Sequence, residues 1–383
     1  MEEKFDRETV PVGKTAADQQ RNAELLSGYD YTKYPAGITG YTGQDLQRIG
    51  VLRWEHAVRV RVGPRGNYKA GLTRLPGGRL VLATAHMNDD PDPEERKKRA
   101  CFIWVYESAD EGLTWQRIDQ TPLFGKEPSL TTLPDGAMVL TAEGPSGGTA
   151  LDEMLVSHSE DGGRAWETRV LQGYDCPRNL IVEPDGSLLM IRVLRSGWIH
   201  RGSGSANVQL CRSRDRGVTW QFSEGLMDWD CAEFGEISAI RLQGGKLLAA
   251  LRRQVPGTVG EGFEDNLLTE SVDGGRHWSR PVQLTNNAEV HAYLTALQDG
   301  RILATYANYH LPYGVSAIVS EDQGRTWDRE HPIQLALSAD VYTGWPVTLQ
   351  LSDGSLITSY ASTTYYREVP DHFTCEVVRW SLP

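Results

Sequence analysis

The sequence is short of positive charge and of cysteine. Its 383 residues include 39 Lys and Arg against 51 Asp and Glu, which gives a formal net charge of -12. An acidic chain without a basic cluster is poorly suited to nucleic acid or to an anionic membrane surface, so we expect neither as a partner. The five cysteines are widely spaced and form no Cys-x-x-Cys pair. This spacing predicts free thiols and excludes a zinc-ligand motif, and we expect no metal and no cofactor.

Long hydrophobic runs are also missing. No apolar stretch reaches the roughly 20 residues that a transmembrane helix needs. The first ten residues, MEEKFDRETV, are acidic and polar, unlike a signal peptide. These two observations predict a cytoplasmic protein. The 39% of hydrophobic residues is enough for a large core.

A box of the form Ser-x-Asp-x-Gly-x-x-Trp occurs five times, about 50 residues apart. The copies are SADEGLTW from Ser108, SEDGGRAW from Ser159, SRDRGVTW from Ser213, SVDGGRHW from Ser271 and SEDQGRTW from Ser320. The Ser and Asp side chains can bond backbone amides within a turn, Gly tolerates positive φ, and Trp can pack between sheets. Because five equivalent aspartates cannot share one catalytic centre, we interpret the boxes as structural turns.

A second repeat alternates with the boxes and consists of two apolar runs around a glycine turn, as in LTTLPDGAMVLT. Its six turn glycines are Gly78, Gly136, Gly186, Gly245, Gly300 and Gly354. Asp-Gly between alternating apolar runs is a strong hairpin signal. Two hairpins per unit predict an all-β fold, a six-bladed β-propeller of four-stranded antiparallel blades. The last unit lacks an outer strand, which we expect VLRWEHAVRVRV to supply from the N-terminal side. The propeller then covers 47–383, and residues 1–46 form an arm that either wraps the surface or serves an oligomer contact.

Strand alternation predicts where a site lies. The glycine turns join the first and second strands of each blade, and the boxes join the third and fourth, so both lie on one face. The starts of the first strands and the ends of the second strands converge near the axis on the other face. Charged and aromatic residues dominate those positions, which suits an anionic or hydroxylated sugar.

The boxes and the six-unit count resemble those of the sialidase (neuraminidase) superfamily, whose repeat is also called BNR or Asp-box. The resemblance covers roughly residues 50–383 and implies a retaining, exo-acting glycoside hydrolase with a tyrosine nucleophile. The segment GEISAIRLQGGKLLAALR is similar to the sialidase segment with a glutamate and an arginine, which implies roles for Glu236 and Arg252. The segment ADVYTGWPVTLQLSDG places the tyrosine at Tyr342. Asp89 is the preferred acid/base in HMNDDPDPEE, where Asp90 and Asp92 compete.

The arginines that hold a substrate carboxylate in sialidases are only partly present. Lys69 stands at the first arginine position, and no arginine lies between Tyr306 and the last box. We therefore expect a terminal acidic or otherwise modified sugar to be removed from a glycan. The predicted substrate-binding residues are Arg252, Lys69, Arg178, Arg192, Glu127, His291, Tyr309 and Trp345.

Two other functions are compatible with the same residues. A polysaccharide lyase would use a His or Tyr to take the proton next to a uronate carboxylate, with a cation neutralising that carboxylate. Its candidates are His291, Tyr309, His310, Arg252 and Lys69. A non-catalytic glycan-binding propeller is the third possibility.

Overall fold

The computed structural model describes residues 57–86, 102–120, 122–144, 153–172, 177–193, 208–223, 233–254, 264–310, 313–338, 343–363 and 373–382. Within these ranges the chain forms 25 β-strands in six antiparallel sheets and no helix. The described part therefore contains no helix of the length and hydrophobicity that a membrane crossing requires. The N-terminal arm and its predicted boundary at residue 46 lie outside these ranges.

Each sheet is one blade of a propeller, numbered in chain order. Blade 1 consists of β2 (Asn67–Arg74), β3 (Leu80–His86), β4 (Phe102–Ser108), β5 (Gln116–Arg117) and β6 (Leu123–Phe124), with β5 and β6 both pairing with β4. Blade 2 consists of β7 (Lys126–Thr132), β8 (Met138–Glu143), β9 (Glu153–Ser159) and β10 (Glu167–Gln172). Blade 3 consists of β11 (Ile181–Val182), β12 (Leu188–Val193), β13 (Val208–Ser213) and β14 (Gln221–Phe222).

The second half of the chain repeats the pattern. Blade 4 consists of β15 (Glu233–Arg241), β16 (Leu247–Gln254), β17 (Glu264–Ser271) and β18 (Val282–Gln283). Blade 5 consists of β19 (Glu289–Ala296), β20 (Ile302–Asn308), β21 (Gly314–Ser320) and β22 (Ile333–Leu337). Blade 6 consists of β23 (Gly344–Gln350), β24 (Leu356–Thr363), β25 (Phe373–Trp380) and β1 (Ala57–Arg61).

The six-bladed architecture and its closure confirm the prediction. β1 pairs antiparallel with β25, from Ala57 opposite Trp380 to Arg61 opposite Glu376. The outer strand of the last blade thus comes from the N-terminal side of the chain, and no outer edge of β25 is left open. Buried Arg59 of this strand donates a 2.7 Å hydrogen bond to the carbonyl of Leu335 in blade 5, which fixes the closing strand against its neighbour.

Six hydrophobic clusters fill the six interfaces between neighbouring blades. A box tryptophan packs at five of them, in each case between its own blade and the preceding one. These five are Trp115, Trp166, Trp220, Trp278 and Trp327. Trp380 at the end of β25 is buried at the sixth interface, between blades 5 and 6, where no box is available. The core is therefore a ring of repeated contacts rather than one central cluster.

The boxes form the turns that their sequence predicts. In the first box, Ser108 Oγ donates to Asp110 Oδ1 (2.8 Å) and accepts from the Gly112 amide (2.8 Å). Asp110 also accepts from the Thr114 amide, and Trp115 Nε1 donates to the Gly112 carbonyl at 3.0 Å. The other four boxes repeat the bonds of Ser, Asp, Gly and Trp. Each acidic side chain is used within its own turn.

Candidate active site

The innermost strands of five blades carry a β-bulge close to their start, within the described residues. At each bulge a non-glycine residue has a positive φ: Lys69 (46°), Glu127 (52°), Glu236 (43°), His291 (59°) and Trp345 (48°). We call these five residues the axial ring. Bulges redirect a side chain, and a left-handed non-glycine residue costs about 1–3 kcal/mol, a strain that concentrates at functional sites.

The axial ring follows the sequence repeat. Each member stands the same number of residues ahead of the turn glycine of its own blade, as Lys69 does for Gly78 and His291 does for Gly300. In blade 3 the equivalent residue is Pro177, whose ring keeps φ negative. Blade 3 is therefore the one blade that has no member in the ring.

Direct contacts join the members of the axial ring to one another. Lys69 Nζ forms an ion pair with Glu127 Oε1 and lies 4.2 Å from the centroid of the Trp345 ring. Trp345 Nε1 donates to Glu236 Oε1 at 2.9 Å, and the His291 ring lies 4.3 Å from the Trp345 ring. Innermost strands of blades 1, 2, 4, 5 and 6 thus meet at one place on the predicted face.

Close approach of the strands contributes to this convergence. A Cβ atom added to Gly71 in β2 would lie 2.7 Å from the carbonyl oxygen of Pro128 in β7. Real Cβ atoms do not approach so closely, so a side chain here would push blades 1 and 2 apart. Glycine at this position lets Lys69 and Glu127 reach each other.

Glu236 is the most heavily bonded member of the ring. Its Oε1 accepts from Trp345, and its Oε2 accepts from Arg252 Nη1 at 3.2 Å and contacts His291 Nδ1. Burial by itself raises the pKa of this carboxyl, but His291 and the positive charges of Arg252 and Lys69 outweigh burial. The pKa of Glu236 lies well below its usual range, and the side chain is a carboxylate at neutral pH.

His291 is fully buried between a carboxylate and a phenol. Its Nδ1 faces Glu236, and its Nε2 lies 2.7 Å from Tyr309 Oη. Burial lowers the pKa of His291 to about 3, against the opposing charge of Glu236. The imidazole is therefore neutral at pH 7. Its single proton belongs on Nδ1, where the carboxylate can accept it, and Nε2 then accepts from Tyr309.

Arg252 connects the ring to a second carboxylate. Its Nη2 donates to Glu264 Oε2 at 2.6 Å, while Nη1 holds Glu236. The next residue, Arg253, forms its own ion pair with Asp265. Sequence reasoning missed both acidic partners. The pairing of β16 with β17 brings Arg252 and Arg253 opposite the segment Glu264–Asn266, and this register is not evident from the sequence.

The other predicted residues lie in three different settings. Arg178 Nη2 donates to the Pro346 carbonyl at 2.7 Å, and Arg178 lines a cavity of about 10 Å³ beside Lys69, Glu127 and Pro177. Arg192 donates to Gln209 and stacks on Phe222 at 4.5 Å, and both partners lie in the outer strands of blade 3. These contacts do not support the expected role of Arg192 at the axis. Tyr342 and Asp89 lie outside the described residues.

The comparisons with known proteins found similarity of structure only. No protein-family model matches the sequence, and no curated protein matches it. A solved protein of unknown function from Dyadobacter fermentans is 20% identical, with 86% of this chain and 99% of that chain covered and a TM-score of 0.68. An α-L-arabinofuranosidase from Fusarium graminearum is 13% identical, with coverages of 85% and 97% and a TM-score of 0.64.

A sialidase from Streptococcus pneumoniae, NanB, is also similar in structure. It is 12% identical, with 90% of this chain and 73% of that chain covered and a TM-score of 0.59. These matches agree with the strand pairing described above. At such identities the likeness establishes the fold alone: this chain is a six-bladed β-propeller.

Proposed function

We propose that this protein is an exo-acting glycoside hydrolase that removes a neutral terminal sugar from a glycan. The likeness to solved structures named as an arabinofuranosidase and a sialidase supports glycosidase chemistry on this scaffold. An ionised, rigidly held carboxylate beside a neutral histidine supports catalysis over simple sugar binding. Because the side chains of the axial ring contact one another, we expect the end of a glycan to bind there rather than the middle of a glycan to pass through.

We choose a neutral sugar because Lys69 and Arg252 are each paired with carboxylates. Lys69 is bound by Glu127, and Arg252 is bound by both Glu236 and Glu264. These two cations thus face three carboxylates. A sugar carboxylate would have to displace one of those partners and leave it buried without its cation, which costs about 3–5 kcal/mol.

The sequence led us to expect an acidic or otherwise modified sugar, and for this reason we propose a neutral sugar over an acidic one. Sialic acid and the uronates both need a cation that is available to the ligand. The same argument weighs against the lyase alternative, because that reaction requires a cation to neutralise the uronate carboxylate. Hydroxyl groups of a neutral sugar instead need acceptors and donors such as the Glu127 carboxylate, whose Oε2 has no hydrogen-bond partner among the described residues.

A panel of p-nitrophenyl glycosides tests the proposal. It contains neutral members, with α-L-arabinofuranoside and the common hexopyranosides, and anionic members, with glucuronide and α-sialoside. We expect release of nitrophenol from at least one neutral member and none from the anionic ones. Turnover of the sialoside or glucuronide in preference to every neutral member would refute the neutral-sugar assignment. Inactivity on the entire panel would refute the hydrolase itself.

A further inference from the structure

Glu236, His291 and Tyr309 form a continuous line of hydrogen bonds that ends at a phenol. Tyr309 follows the last residue of β20, on the same face as the axial ring, and its side chain is only partly buried. Its backbone amide is held by the Ala288 carbonyl at 2.7 Å, which fixes the phenol relative to His291. The buried end of the line is therefore a carboxylate, and the end on the partly buried residue is a hydroxyl group.

We infer that Tyr309 is the nucleophile of the proposed glycosidase, with His291 as its proton acceptor and Glu236 as the positioning residue for His291. The inference rests on the proposed function. The arrangement is the one by which a carboxylate and an imidazole activate a hydroxyl in acyl-transfer enzymes: the carboxylate holds one ring nitrogen protonated, and the other nitrogen takes the hydroxyl proton. Here the hydroxyl is a phenol, which ionises far more readily than a serine.

With an aryl glycoside, each bond that forms is matched by one that breaks. Tyr309 Oη forms a bond to the anomeric carbon as the bond from that carbon to the aryl oxygen breaks, and the nitrophenolate leaves with the bonding pair. The phenolic proton passes to His291 Nε2 as the bond to the anomeric carbon forms, and the Glu236 carboxylate at Nδ1 stabilises the imidazolium against the cost of burial. Water then attacks the anomeric carbon, Tyr309 leaves and recovers its proton from His291, and the proton of the water goes to solvent. Two displacements at one carbon give net retention of configuration.

The experiment uses the neutral p-nitrophenyl glycoside that the wild-type protein turns over and the 2-deoxy-2-fluoro analogue of that substrate. We expect Tyr309→Phe to lower kcat/KM by about 1000-fold or more. Tyr106→Phe is the matched control, because Tyr106 is a buried phenol of blade 1 that accepts a 3.1 Å bond from Asn67. That variant should keep its activity.

The fluorinated analogue should leave one sugar attached to the wild-type protein, and peptide mapping should place it on Tyr309. A sugar attached to Tyr342 or Glu236, or an active Tyr309→Phe protein, overturns the assignment of Tyr309 as nucleophile but leaves the proposed hydrolase function intact. A wild-type protein that hydrolyses no glycoside overturns the proposed function itself. Labelling is measured on the wild-type chain, so it decides the question even where Tyr309→Phe fails to fold.

Discussion

Trp345 Nε1 donates a 2.9 Å hydrogen bond to Glu236 Oε1, which joins blade 6 to blade 4 although 109 residues separate them in the chain. Both side chains are buried, so the indole N–H is a fixed donor for a carboxylate without access to bulk water. A hydrogen bond to a charged group is stronger than one between neutral groups. This bond holds Glu236 in place behind His291.

Trp345→Phe removes that donor and leaves Glu236 Oε1 without it. We expect a loss of about 1–3 kcal/mol in the free energy of unfolding, measured with urea. Trp380→Phe is the matched control, because Trp380 Nε1 donates to the neutral hydroxyl of Thr358 at 3.0 Å and its loss should cost less. If Trp345→Phe loses no more free energy of unfolding than Trp380→Phe, the Glu236 carboxylate does not depend on this bond.

Glu127→Gln tests whether ion pairing sets the selectivity for a neutral sugar. The substitution keeps the size of the side chain but removes the negative charge opposite Lys69. We expect kcat/KM for an anionic aryl glycoside, relative to a neutral one, to rise by about tenfold, equivalent to roughly 1.4 kcal/mol. Glu183→Gln removes the partner of Arg241 elsewhere and should leave the ratio unchanged. A ratio that does not move in Glu127→Gln would contradict the argument.

His291 should make the protein less stable as the pH falls. Its pKa of about 3 in the folded protein lies below the ordinary value of 6.5, so the unfolded chain takes up this proton first. The stabilisation is complete above pH 6.5 and decreases by about 1.4 kcal/mol per pH unit as the pH falls towards 3. Urea unfolding at several pH values should give a shallower dependence for His291→Gln than for the wild type. Identical slopes would mean that the pKa of His291 is the same in the folded and the unfolded protein.

Trp166 tests the structural role of the boxes. It is only 6% exposed and packs between blades 1 and 2. Trp166→Ala should lower the free energy of unfolding by about 3–5 kcal/mol, as expected for a buried aromatic side chain. Val272→Ala, at a box position that is 79% exposed, should change it by less than about 0.5 kcal/mol. A small change in the free energy of unfolding for Trp166→Ala would show that this box tryptophan does not hold neighbouring blades together.

The fold was predictable because its signals are local and repeated. Gly136 and its five equivalents mark hairpins, and the five boxes mark the outer turns, so the count of blades follows from the sequence. Even the closing strand could be inferred, since one blade lacked a strand and Ala57–Arg61 lies in the segment with suitable composition. Neither inference needed a contact between distant residues to be known in advance.

The site was less predictable because its chemistry depends on such contacts. Lys69, Glu127, Glu236, His291 and Trp345 were all identified as candidates. Their pairing was not, since ion pairs such as Arg252 with Glu264 depend on the register of β16 and β17. Charged and aromatic residues on one face suggested an anionic or hydroxylated sugar. In the structure Lys69 and Arg252 pair with carboxylates, and the proposal of a neutral sugar rests on those pairs.

Glu236→Gln tests the central claim, that the axial ring is the catalytic centre, most directly. The substitution removes the charge that holds His291 and Arg252 while it preserves the shape of the side chain. With the neutral aryl glycoside that the wild type turns over, kcat/KM should fall by about 100-fold to 1000-fold. Glu270→Gln, which removes the partner of Lys246 in the third strand of blade 4, should stay within about threefold of the wild type. Full activity in folded Glu236→Gln protein would contradict the account.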